Sequence, residues 1–140
     1  YTYYVKDLRV GDAPQTQFAL GTTVFPLRGL NIQAVVRRYD NHWSDWDPFS
    51  RTNPDDRKQS WKAPGYTVID FHGGYNLPFN LGGMKLKLTA HIFNALDAVY
   101  IQDAVDNSRY NALNKNHTAD DAEVFMGLPR SFNVGLSISY

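Results

Sequence analysis

The chain has 140 residues, the length of one domain, with 14 basic and 14 acidic side chains and no cysteine. Balanced charge argues against a nucleic-acid binder, which carries a basic excess, and the missing cysteines exclude disulfides and thiolate metal sites. No apolar run approaches the ~20 residues of a spanning helix, so no helical anchor is expected, and no secretory leader is visible.

Period-2 alternation dominates and helical periodicity is scarce. The opening YTYYVKDL, Tyr1 to Leu8, is a weakly alternating candidate strand, and a start at Tyr1 rather than Met fits a piece of a longer protein. Gln17 to Phe25 sets Phe18, Leu20, Thr22 and Val24 on one face; PLRG, Pro26 to Gly29, reads as a tight turn. Leu30 to Tyr39 sets Leu30, Ile32, Ala34 and Val36 against Asn31, Gln33, Arg37 and Tyr39. A long connection then runs from Asp40 to Pro64. Tyr66 to Tyr75 sets Thr67, Ile69, Phe71 and Tyr75 against Asp70 and His72, and NLPFNLGG, Asn76 to Gly83, reads as the next turn. Met84 to Phe93 sets Met84, Leu86, Leu88, Ala90 and Ile92 against Lys85, Lys87, Thr89 and His91. A second long connection spans Asp97 to Pro129. The last run places Phe132, Val134, Leu136, Ile138 and Tyr140 on one face and Asn133, Gly135, Ser137 and Ser139 on the other.

Runs of ~9–11 residues exceed the ~5–6 usual for soluble strands and suit strands tilted across a bilayer. Alternation alone also fits a soluble sandwich that buries its apolar face. The connections discriminate better, because short and long ones alternate strictly, so a hairpin-connected sheet has tight turns at one end and large loops at the other. Outer-membrane barrels are built that way. Phe25, Tyr75, Phe79 and Tyr140 fall at the short-turn end, and Tyr39, Tyr66, Phe93 and Phe132 near the long-loop end, as two interfacial girdles require; strand propensity for aromatics is the plainer account. Five or six strands cannot close a membrane barrel, whose minimum is ~8, so the expected fold is all-β, an antiparallel up-and-down transmembrane barrel of which this chain is one part. A lipid-face charge at mid-depth costs ~2–4 kcal/mol, and the proposed lipid faces carry none there; Arg38 has outward parity but lies near a strand end. Asp70, His72, Arg37, Lys85 and Lys87 are expected to face the lumen.

Four stretches resemble the last strands of TonB-dependent receptors, the active transporters of the bacterial outer membrane. They are GDAPQTQFALGTTV (Gly11 to Val24), APGYTVIDFHGGY (Ala63 to Tyr75), NALDAVY (Asn94 to Tyr100) and GLPRSFNVGLSISY (Gly127 to Tyr140), in that family's order and over nearly the whole chain. The final run also resembles the terminal signature of outer-membrane proteins, which implies that Phe132, Val134, Leu136, Ile138 and Tyr140 are read by the barrel-assembly machinery. The resemblance implies a barrel of about 22 strands with a plugged lumen, residues 1–140 forming about the last five or six strands, with the plug domain and earlier strands absent. It further implies location in the outer membrane, contact with its lipid and with the rest of the barrel and plug, and coupling to the TonB complex through an absent N-terminal part. The implied activity is energised uptake of a scarce solute such as an iron chelate, a cobalamin-like cofactor or an oligosaccharide, this chain supplying wall and two outer loops. A soluble lipocalin-like barrel that holds a small ligand, and a passive pore or adhesin barrel, are the alternatives.

Candidate sites are sparse. Trp43 and Trp46 in NHWSDWDPF, and Trp61 further on, stand among acids in a predicted outer loop, where aromatic faces hold sugars or cations; packing of the loop's own small core is the plainer reading. Asp103, Asp106 and HTADDAE (His117 to Glu123) offer oxygen ligands for Ca²⁺ without the spacing of an EF-hand, and no metal or cofactor is expected. His72 and His91 read as hydrogen-bonded wall residues. No nucleophile elbow, phosphate loop or HExxH occurs, so no enzymatic activity is expected.

Overall fold

The computed structural model describes residues 1–110 and 116–140. The protein is all-β with antiparallel sheets, and the described residues contain no α-helix. Strands β1 (Thr16–Leu27), β2 (Leu30–Asp40), β5 (Tyr66–Leu81), β6 (Met84–Phe93) and β9 (Ser131–Ser139) form one sheet in the order β1-β2-β5-β6-β9. Two small two-stranded sheets pair β3 (His42–Trp43) with β4 (Lys62–Ala63) and β7 (Ile101–Asp106) with β8 (Ala122–Met126). The chain divides into two compact units: a sheet unit of residues 18–38, 67–98 and 128–140, and a loop unit of residues 1–17, 39–66 and 99–127.

The hairpins of the sheet follow from backbone freedom at glycine. Gly29 adopts φ +86°, and Gly82 and Gly83 adopt +60° and +87°, the left-handed conformations that two-residue hairpin turns require. The turns are thus tighter than the sequence suggests. Pro26 lies inside β1, an edge strand where its missing N–H breaks no ladder. Pro78 lies inside β5, which runs past Asn76 to Leu81. There the ladder to β6 shifts register between Asn76 and Asn80, as a bulge around a residue that cannot donate.

Cross-strand pairing assigns every central side chain to a face. Leu86, Leu88, Ala90 and Ile92 of β6 lie opposite Ile138, Leu136, Val134 and Phe132 of β9. Lys85, Lys87, Thr89 and His91 lie opposite Ser139, Ser137, Gly135 and Asn133. The β5 ladder continues both rows, with Phe71 against Ile92 and Tyr75 against Leu88, and with His72 against His91 and Asn76 against Lys87. One face is therefore an apolar carpet and the other a polar one, because partners directly opposite in an antiparallel pair project to the same side.

The apolar carpet of the sheet unit has no second layer within that unit. Val134 is 79 % exposed, Phe132 68 % and Leu136 60 %, and every residue of β1 is exposed. Val68 is the one apolar side chain of the sheet unit that is fully buried among the described residues. A domain of this size that stabilised itself in water would withdraw about two thirds of its surface, most of it from such rows. Cavities of about 870 and 230 Å³ open instead on the polar side, each lined from several strands, so the sheet is concave toward its polar face.

The opening segment is not a strand. Its weak alternation yields to local partners in the loop unit: Tyr4 N–H donates to the Arg51 carbonyl at 2.8 Å, Arg57 sits over the Tyr4 ring, and Tyr3 meets Phe49 edge to face. The main sheet accordingly has five strands.

Candidate functional site

The loop unit is assembled from the two long connections. Asp45 of the first forms a bridge with Val105 of the second, its N–H donating to the Ala104 carbonyl at 2.7 Å and its carbonyl accepting from the Asp106 N–H at 2.7 Å. Tyr39, Tyr66 and Tyr100 stack in series, with centroids 4.9 and 4.3 Å apart. Gly127 allows this packing, because a Cβ there would fall on the Tyr100 ring.

The loop unit also holds a buried polar cluster. Arg51 is 1 % exposed; its guanidinium donates to Asp56 at 3.1 Å and to the Lys58 carbonyl at 3.2 Å, and lies 3.5 Å from Asp106. The His117 ring places Nδ1 2.5 Å from Asp106 Oδ2 and 2.9 Å from Ser108 Oγ, and Nε2 3.1 Å from Asp56. Arg51 Nη1 also lies 2.9 Å from His117 Nε2, so a guanidinium, an imidazole and two carboxylates form one buried contact set. Removal of one partner from such a group leaves an uncompensated buried charge. His42 is also buried, and neither ring nitrogen has a hydrogen-bond partner; Asp103 Oδ1, at 3.9 Å, is too distant to accept directly.

The three tryptophans separate into different roles. Trp46 donates its indole N–H to the Arg9 carbonyl at 2.8 Å, lies under the Arg51 guanidinium, and lines a cavity of about 560 Å³ with Asp45, Asp47 and Arg109. Trp43 and Trp61 do not line that cavity. Trp43 sits in β3, and the Trp61 carbonyl receives both Ser44 N–H and Ser44 Oγ. All three are half-buried, as loop packing requires. The oxygen donors weighed for Ca²⁺ are dispersed: Asp106 is engaged by His117 and Arg51, Asp103 by the Ala104 N–H, and Asp121 by the N–H groups of Asn116 and Thr118. Among the described residues no group of three or more His, Asp or Glu converges as metal ligands would.

In the sheet unit the polar face carries a pair and a corner. His72 and His91 face one another with Nδ1 atoms 2.9 Å apart, a hydrogen bond once one ring is neutral. Asp70 lies on the same face but is 5 % exposed rather than solvated; it is ion-paired with Arg37 and accepts the Asn94 N–H at 2.8 Å. The NALD and GLPR stretches turn out to be one hydrogen-bonded corner. Asn94, at φ +49°, binds Ala98 through both its amide oxygen and nitrogen at 2.9 Å and donates to the Leu128 carbonyl at 3.1 Å, while Asp97 accepts the Arg130 N–H at 2.9 Å. The corner ties the end of β6 to the entry of β9, so residues far apart in sequence carry a single structural role. Phe132, Val134, Leu136 and Ile138 lie on the outermost strand, exposed, with Tyr140 just beyond it.

No protein-family model, no curated protein and no solved structure matches this chain.

Proposed function

We propose that this chain is the last part of the wall of a TonB-dependent outer-membrane receptor, five strands of a barrel of about 22, with two loops that face the outside. The supporting observation is the bare apolar face opposite a concave polar one. Hydrocarbon satisfies the first without a protein layer, and a wet or plugged lumen satisfies the second. A soluble ligand-binding barrel needs the reverse, with apolar rows on the concave side. The free edges of β1 and β9 support incompleteness, because unpaired N–H and C=O groups at a sheet edge seek a neighbouring strand. In this reading β9 pairs with the first strand of the barrel, and Phe132, Val134, Leu136, Ile138 and Tyr140 form the strand that the assembly machinery reads. The whole protein takes up a scarce solute, drawn in by movement of the plug when TonB pulls. The Trp46 cavity belongs to the loops that meet the solute first.

These 140 residues contain no cysteine, so a cysteine placed among them is the one thiol of this segment, and the parent protein without it is the labelling control. In outer membranes, Leu88→Cys, Val134→Cys and Leu136→Cys resist a charged maleimide, while Lys87→Cys and Thr89→Cys react or are covered by the plug. Free reaction of the leucine and valine positions with the charged reagent defeats the membrane reading. Solute uptake that persists after deletion of TonB defeats the transporter reading while leaving the barrel intact.

A further inference from the structure

The 870 Å³ cavity on the polar face of the sheet lies at its tight-turn end and is lined by cationic, neutral polar and apolar groups. Arg28 enters from the β1–β2 turn, Asn76 from β5, Lys85 and Lys87 from β6, and Ser137 and Ser139 from β9. Pairing explains why they meet. Asn76 N–H donates to the Gly29 carbonyl at 2.8 Å, Asn76 lies opposite Lys87, and Lys87 lies opposite Ser137, so Gly29, Asn76, Lys87 and Ser137 form a row across the strands, with Arg28 next to Gly29 in the chain. Lys85, two residues along β6, adds a second cation on the same face, ~7 Å away at the backbone, opposite Ser139. No carboxylate lines the cavity, and the side chains of Arg28, Lys85 and Lys87 make no hydrogen bond or ion pair among the described residues.

This concentration is not a consequence of composition. The whole chain is neutral, yet the sheet unit holds six basic side chains against two acidic ones, a net of +4. Its acids are already engaged, Asp70 by Arg37 and Asp97 by the Arg130 N–H. Three cations on one concave wall repel one another, and a single multivalent anion relieves that repulsion while taking charge-assisted hydrogen bonds from guanidinium, ammonium, amide and hydroxyl donors.

We propose that this cavity is a binding site for a small polyvalent oxyanion, of the phosphate or polycarboxylate class, with Arg28, Lys85 and Lys87 as its charged ligands and Asn76, Ser137 and Ser139 as its neutral ones. The inference goes beyond the transport reading and rests on the sheet alone. A protein that binds the anion yet fails the cysteine-labelling test keeps this site and loses the membrane.

The test is calorimetric titration of the full-length protein in detergent with inorganic pyrophosphate at low ionic strength. Saturable binding is expected, about tenfold weaker in each of Arg28→Gln and Lys87→Gln, retained in Lys87→Arg and unchanged in Lys6→Gln, an exposed lysine of the loop unit. Citrate competes for the same site. Absence of saturation, equal loss in Lys6→Gln, or full replacement by chloride at matched ionic strength each overturns the proposal. All the substituted side chains are exposed, so their removal does not threaten folding, and the strand circular-dichroism band verifies this for each variant.

Discussion

The sheet unit and the loop unit invert one another. In the sheet unit, apolar rows from Phe132 to Ile138 are exposed and the polar row lines the concavity. In the loop unit, a guanidinium, an imidazole and two carboxylates are drawn together, with Ser108 buried against the imidazole. Charge divides the same way: the sheet unit carries +4, and the loop unit, with eight basic against twelve acidic side chains, carries −4. In the barrel reading proposed above, the two units answer to different solvents. A sheet with exposed Leu and Val rows is stable where its surroundings are apolar, whereas a loop body without an apolar core holds itself together by satisfying polar groups internally.

The strongest way to break this comparison is to empty the centre of the loop unit. Arg51→Ala leaves Asp56 and Asp106 without their cation and is expected to destabilise that unit by about 3–5 kcal/mol. All three tryptophans belong to the loop unit, so their fluorescence in a urea titration reports it directly, and a midpoint unmoved by the substitution would mean the cluster contributes nothing. Next comes the face test. Leu88→Arg places a charge in mid-strand on the apolar side and is expected to cost about 2–4 kcal/mol for refolding into lipid vesicles, whereas Thr89→Arg, one residue on, costs close to nothing. Equal costs at the two positions remove the distinction between the faces. The smallest effect is expected at Gly127→Ala, where the new methyl displaces Tyr100 from its stack on Tyr66, at about 1–3 kcal/mol. Loss of the near-ultraviolet tyrosine signal, with the strand band intact, sharpens the comparison by confining the damage to the loop unit.

The faces of the sheet were legible because alternation is local: Lys85 and Leu86 must point opposite ways in any strand. Turn lengths were less so. Asn76 to Gly83 reads as one turn, but only Gly82 and Gly83 turn, since β5 tolerates Pro78 by shifting register. The opening YTYYVKDL alternates weakly yet forms no strand, because its tyrosines are claimed by Arg57 and Phe49 rather than by a neighbouring strand. Of the tryptophans, only Trp46 meets a cavity with acids, a distinction that composition does not contain. Arg51 passed unnoticed altogether. Its partner His117 is 66 residues away, and a lone arginine in a polar loop resembles every solvated arginine.

The amino-acid order by itself determined the five long strands, their two faces and the alternation of tight turns with long connections, because each depends on residues within a few positions of one another. Only the tertiary structure decided which charges meet. A chain neutral in sum folds into a basic sheet and an acidic loop body, and Arg51 finds its acids across distant connections, because electrostatic pairing depends on separation in space and strand alternation on separation along the chain.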